Sequence, residues 1–139
     1  MKLNELMNTK VDYEVVKARG GVFHTQAEIG GRTIDFAAIE EMDGEWEISF
    51  GEKNGNGKTS YGLTGSGAAP EVLAMVKNSM LEFVERYQPE KMYFTADKEN
   101  DKDNRARVYE RMIKRFNIPS YKYSTYDSGN STRFSLDKT

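Results

Sequence analysis

Cysteine is absent from the 139 residues, which excludes disulfides, thiolate-bound zinc and a cysteine nucleophile, and suits a reducing compartment such as the cytoplasm. Histidine occurs once, at His24. With no second histidine and no cysteine to join it, it reads as a surface residue rather than a metal ligand. No apolar run approaches the roughly 18 to 20 residues of a membrane span, and Met1 to Lys10 lacks the apolar stretch of a secretory signal. The sequence therefore predicts a chain that neither crosses nor leaves a membrane. An excess of one charge is also missing: 20 Lys plus Arg against 22 Asp plus Glu leave a net charge of -2. No global field draws the chain to nucleic acid, and such affinity is confined to local patches. Only three prolines occur, at 70, 89 and 119, each where a helix starts or has just ended.

What is present suits one domain, expected to span residues 1–139. Sixteen aromatics (seven Phe, eight Tyr, one Trp) fill a core that buries roughly two-thirds of the unfolded surface at this length. The first half reads as four strands, Tyr13 to Ala18, Val22 to Ile29, Arg32 to Glu40 and Glu45 to Phe50, punctuated by Gly20-Gly21, Gly30-Gly31 and Asp43-Gly44. In the second strand Phe23, Thr25, Ala27 and Ile29 alternate with His24, Gln26 and Glu28; in the fourth, Trp46, Ile48 and Phe50 alternate with Glu45, Glu47 and Ser49. Each has one face to bury. Gly51 to Gly67 carries six glycines, a composition for a long loop.

Val72, Met75, Val76, Ser79, Met80, Phe83 and Tyr87 then recur at three- and four-residue spacing, which predicts an amphipathic helix with Pro70 in its first turn. Lys91 to Ala96 reads as a strand with Met92, Phe94 and Ala96 on one face. A second helix follows, with Tyr109, Met112, Ile113 and Phe116 on one side. Tyr121 to Tyr126 and Thr132 to Leu136 form a terminal hairpin. Met1 to Met7, within an arm of residues 1–10, is a short helix candidate. The order β-β-β-β-α-β-α-β-β predicts an α+β fold: a mixed, mostly antiparallel sheet with one right-handed βαβ crossover and helices packed on it.

Three features carry chemistry. Gly65-Ser66-Gly67, with Ala68 and Ala69, stands immediately before the first long helix. Glycines there free backbone N-H groups to form an anion cradle at the positive end of a helix dipole, best used by phosphate or pyrophosphate; a plain connection capped by Ser66 is the structural alternative. Arg107, Arg111 and Lys114 recur at helical spacing with Arg105 and Arg115 beside them. They make either a solvated helix face or a patch for an acidic partner or a nucleic-acid backbone. Glu45 and Glu47 line the polar face of the fourth strand, as solvent-facing residues or as a carboxylate base.

The glycine turn and the order of elements resemble the GNAT superfamily of N-acetyltransferases, over roughly residues 20–136. That family places an R/Q-x-x-G-x-G/A turn between a fourth strand and a long helix, and Gly65-Ser66-Gly67 matches its glycine part. The stretch from Thr64 through Phe83 and Pro89 to Arg105 and Val108-Tyr109 is similar to small GNAT-like proteins of bacteriophage genomes. The resemblance implies acetyl-coenzyme A between the fourth strand and Lys91 to Ala96, with Gly65, Ser66, Gly67, Ala68 and Ala69 on its pyrophosphate and Lys58 reaching a phosphate. It implies Tyr109 as general acid to the departing thiolate, from a phenol with an ordinary pKa near 10, and Glu47 as the base candidate. Core packing is the alternative for Tyr109.

The chain also departs from the pattern. Gly62 stands where the family has Arg or Gln, Lys102 where it has Asn and Arg105 where it has Ala. Only Arg19 to Gly21 separates the first two strands, where the family places two helices that shape the acceptor site. Two functions follow: acyl transfer from acyl-coenzyme A to an amine of a protein or small molecule, or a binding module that keeps the fold without the chemistry and grips a phage or host protein, in the virion or the host cytoplasm.

Overall fold

A computed structural model describes residues 12–53, 59–60, 69–97, 105–127 and 129–139 of the chain. The expected helix at Met1 to Met7 lies outside the described residues. Four antiparallel strands come first: β1 (Glu14–Arg19), β2 (Val22–Ile29), β3 (Arg32–Met42) and β4 (Glu45–Lys53). The first two hairpins turn through Gly20-Gly21 (φ 63° and 75°) and Gly30-Gly31 (φ 60° and 77°). Two successive residues of positive φ match the twist of the flanking strands, and glycine adopts them without a Cβ clash. After β5 (Thr59–Ser60) come α1 (Ala69–Tyr87), β6 (Lys91–Asp97), α2 (Arg105–Phe116), β7 (Tyr121–Asp127) and β8 (Ser131–Lys138). Each helix ends on a residue in the left-handed region, Gln88 (φ 44°) or Asn117 (φ 47°), with a proline one or two positions later.

The sheet runs β1-β2-β3-β4-β6-β8-β7, with β5 paired to the end of β4. All neighbours are antiparallel except β4 and β6, which are parallel as the βαβ order requires. This is the mixed, mostly antiparallel α+β sheet that the order of elements predicts. Several elements outrun their sequence limits. β4 continues three residues past Phe50 to Lys53 because β3 pairs it as far as Thr33. The short β5 lies inside the stretch read as loop.

Both helices cover the same face. Trp46 meets Phe83 of α1 at 5.0 Å between ring centroids, and Phe50, four residues along the same strand, meets Tyr109 of α2 at 5.7 Å. Side chains four apart on a strand share a face. The core is that face of the sheet (Phe23, Phe36, Ile48, Phe94, Phe134) against Val72, Met75, Val76, Met80 and Phe83 of α1 and Met112, Ile113 and Phe116 of α2. Within it Thr25 and Ser79 share a hydrogen bond of 2.7 Å, the means by which two buried hydroxyls avoid a desolvation cost. The opposite face is polar and carries no described helix: His24 and Gln26 on β2, Asp35 and Ala37 on β3, Glu47 and Ser49 on β4, Tyr93 on β6 and Ser135 on β8.

Candidate functional site

The parallel pairing of β4 and β6 lasts three residues: Glu45 with Lys91, Trp46 with Met92 and Glu47 with Tyr93. Beyond that point each strand stays with its outer neighbour. β3 holds β4 to Lys53 and β8 holds β6 to Asp97, so the sheet splits between them. Among the described residues Ile48 to Gly51 on β4 and Phe94 to Asp97 on β6 have no ladder partner on the inner side, and β5 pairs with β4 at Glu52 and Lys53. Backbone N-H and C=O groups without ladder partners inside a protein call for another hydrogen-bonding group. The split is thus a slot lined by amide edges, at the ends of the strands that precede α1 and α2.

On the helix face Tyr109 bridges the split. Only 3% exposed, its ring lies 5.7 Å from Phe50 of β4, 5.0 Å from Phe94 of β6 and 6.1 Å from Phe134 of β8, all within contact range for aromatic pairs. On the open face the last paired residues, Glu47 and Tyr93, stand side by side at the apex. Glu47 is half-buried and Tyr93 is buried. The Arg133 guanidinium sits 4.2 Å from the Tyr93 ring centroid, a cation-π stack. Burial, followed by the charge of Glu47, raises the Tyr93 phenol above the ordinary value; Arg133 pulls the other way, and Glu41 and Glu45 add to the rise.

Glu47 and Tyr109 are therefore brought to the same split from opposite faces of the sheet. Lys58, Gly65, Ser66, Gly67 and Ala68 lie outside the described residues, and Ala69 is the first residue of α1. α2 includes Arg105 and Arg107, whose side chains lie outside the description. On the same helix Lys114 pairs with Glu110 at 2.9 Å, and Arg111 and Arg115 are exposed. His24 differs from its reading as a surface residue: it is half-buried, with Nε2 2.8 Å from Asp35 Oδ1, and Gln26 Nε2 donates to the same oxygen at 2.9 Å. The Gly30-Gly31 hairpin sets this cluster, because its register puts Gln26 opposite Asp35 and His24 opposite Ala37. That register could have been counted from the turn.

A cleft of about 450 Å³ lies at the other end of β4, lined by Glu40, Asp43, Trp46, Tyr87 and Glu90 among others. Three carboxylates beside the C-terminal end of α1 make it hostile to an anion such as pyrophosphate. Among the described residues no group of three or more His, Asp or Glu is arranged to hold a metal ion, and no described helix is long and apolar enough to cross a membrane.

Two solved structures share this architecture. One is the N-acetyltransferase PseH of Campylobacter jejuni, 13% identical, with a TM-score of 0.51 over 87% of this chain and 71% of that one. The other is a mutant of the spermidine N-acetyltransferase SpeG from Vibrio cholerae, 10% identical, with a TM-score of 0.53 over 97% of this chain and 87% of that one. The fold is that of the GNAT N-acetyltransferases. No family model and no curated protein sequence matches the chain.

Proposed function

We propose that this protein is an acyl-coenzyme A dependent N-acyltransferase, with acetyl-coenzyme A as donor and an amine as acceptor. The observation that carries the reading is the split between β4 and β6 after Glu47 and Tyr93. A pantetheine arm is a narrow chain with two amides, and the amide edges of Ile48 to Gly51 and Phe94 to Asp97 offer it the hydrogen bonds that a strand would otherwise make. α1 begins at Ala69, so the preceding Gly65, Ser66, Gly67 and Ala68 are assigned to the pyrophosphate, with Lys58 as a counter-charge.

An acyl thioester bound in the slot supplies an electrophilic carbonyl carbon and a sulfur that departs as thiolate. The residues of the chain then have separate tasks. The Glu47 carboxylate, at the apex on the open face, takes the proton that the amine loses on forming its new N-C bond. The Tyr109 hydroxyl, on the helix face, returns a proton to the departing sulfur. The slot fixes the angle of attack, and the apolar rings of Phe50, Phe94 and Phe134 keep water from the helix side.

Calorimetric titration with acetyl-coenzyme A tests this, followed by mass spectrometry of candidate amines. Saturable binding by the wild type and its loss in Gly67→Leu, where a side chain fills the cradle, are expected. Absence of saturable binding at millimolar ligand overturns the reading. A competing function, a non-catalytic module for a phage or host protein, is favoured by the open sheet face with Ile39 43% exposed beside Glu47. Coenzyme binding without acyl transfer to any amine would select it.

A further inference from the structure

The sheet ends on two edge strands, β1 and β7, and only one of them is guarded. β1 breaks its register with a bulge between Val15 and Lys17 and carries exposed Glu14, Lys17 and Arg19, devices that discourage another strand from adding on. β7 pairs with β8 in unbroken register over all seven of its residues. It holds no proline or glycine, and three tyrosines and a threonine give it high strand propensity. Lys122 and residues 124–127 are exposed, Tyr126 to 66%. α2 does not cover the edge from the helix side, where a cleft of about 650 Å³ separates Glu110 and Lys114 from Tyr123 and Thr125. The Ser120 carbonyl accepts from the Thr139 N-H on the β8 side. Peptide groups alternate in direction along an antiparallel ladder, so those of Tyr123 and Thr125 point outward, where no described strand takes them.

We infer that β7 pairs with β7 of a second copy of the chain, antiparallel about a two-fold axis at Ser124. The strand's own sequence selects this occupant. Directly opposed residues of antiparallel strands share a face, so a self-pairing register must be centred on a residue. Centring on Ser124 engages the whole of β7, whereas centring on Tyr123 or Thr125 leaves the last two residues at one end unpaired. In the Ser124 register Tyr123 and Thr125 of one copy face Thr125 and Tyr123 of the other and exchange both backbone bonds, an aromatic against a β-branched side chain. On the opposite face Lys122 of each copy meets the exposed Tyr126 of the other, a cation against a ring, repeated by the symmetry. The one lysine on this edge thus becomes a contact rather than a guard. An axis normal to the sheet closes the pair, leaves only the guarded β1 edges outside and turns the open faces of both sheets to the same side.

Sedimentation equilibrium from micromolar to millimolar protein reads the association, and a concentration-dependent equilibrium of monomer and dimer with no larger species is expected. Thr125→Pro removes an outward N-H and leaves the bonds to β8. It should stay monomeric over the same range, with its urea midpoint, read by Trp46 emission, unchanged. Tyr126→Ala should weaken the dimer on the order of tenfold, the effect of two symmetric cation-π contacts at an exposed site. The register is read separately, in a chain with no native cysteine. Ser124→Cys sets two thiols across the axis at the roughly 4.5–5.5 Å Cα separation of opposed residues, within reach of a disulfide, so mild oxidation should cross-link it into a dimer. Tyr126→Cys, displaced from its own copy in this register, should not cross-link. A monomer at every concentration, larger open-ended assemblies, a dimer that Thr125→Pro leaves intact, or equal cross-linking of the two cysteine variants overturns the inference. If Thr125→Pro fails to fold, the cysteine variants decide it. None of these readouts involves coenzyme A, so the proposed function stands or falls separately.

Discussion

Tyr109 offers the sharpest separation of packing from chemistry, because two substitutions at one position remove different things. Its ring is 3% exposed and touches Phe50, Phe94 and Phe134, so it ties β4 to the β6-β8 pair across the level where β4 and β6 share no ladder. Tyr109→Ala deletes the ring and opens a cavity under the split, at about 3–5 kcal/mol for a large aromatic in a core. Against a total stability of roughly 5–15 kcal/mol that is about a fifth or more, or a melting point lower by about 10 °C at a few degrees per kcal/mol for a chain of this size. Tyr109→Phe keeps the ring and should cost about 1 kcal/mol or less. Urea unfolding read by Trp46 emission measures both. Trp46 is the single tryptophan, 4% exposed and packed edge-on and tilted against Phe83 and Tyr87, so it reports the loss of the core directly. If Tyr109 is the proton donor, Tyr109→Phe lowers the rate of coenzyme A thiol release tenfold or more with folding intact. Equal turnover would confine Tyr109 to the core; a cost below about 1 kcal/mol for Tyr109→Ala would refute the bridging role as well.

Ser79→Ala removes one partner of the buried 2.7 Å bond to Thr25 and should cost about 1–3 kcal/mol, whereas Thr25→Val with Ser79→Ala should cost less than the sum of the two single changes; additive values in urea unfolding would contradict the bond. Tyr121 donates to the Pro89 carbonyl at 2.6 Å, and its phenol is pushed up from 10.0 to about 12 by burial and then by the charge of Glu90. The folded state holds that proton more tightly than the unfolded chain, so its contribution is complete below about pH 10 and is lost as pH rises through about 12. Tyr121→Phe should flatten the fall of the urea midpoint across that window, and an unchanged alkaline profile would count against it.

The elements were legible where a local signal sufficed. Paired glycines at 20–21 and 30–31 mark turns whose positive φ values few other residues adopt, and the stripe from Val72 to Phe83 is buried along α1 as its spacing predicts. Strand ends were not legible, because β4 stops where β3 stops pairing it and no residue after Phe50 announces that. The site was half legible. Alternation places Glu47 on a polar face, and helical spacing places Tyr109 on an apolar one. The length of the β4-β6 pairing, which decides whether these residues stand at a slot or at a closed ladder, depends on the two sheet halves and not on any short motif. Tyr93 was hidden for the same reason: between Met92 and Phe94 it reads only as the outward residue of a strand, and the guanidinium that stacks on its ring belongs to Arg133, forty residues later.

The two faces of the split differ in a way that assigns them different work under the proposed function. Below it lie Phe50, Phe94, Tyr109 and Phe134, held by α2; above it lie Glu47, Ser49, Tyr93 and Ser135 in a polar row with no described helix over them. The tight Gly20-Gly21 turn between β1 and β2 leaves no chain between those strands to cover the upper face. A thioester in the slot would meet a dry lower side, which strengthens charge stabilisation at the reacting atoms, and a polar upper side on which Glu47 and Ser49 are half-buried. Under that reading, acceptor recognition falls to polar side chains of the sheet itself, foremost Glu47 at the apex of the split.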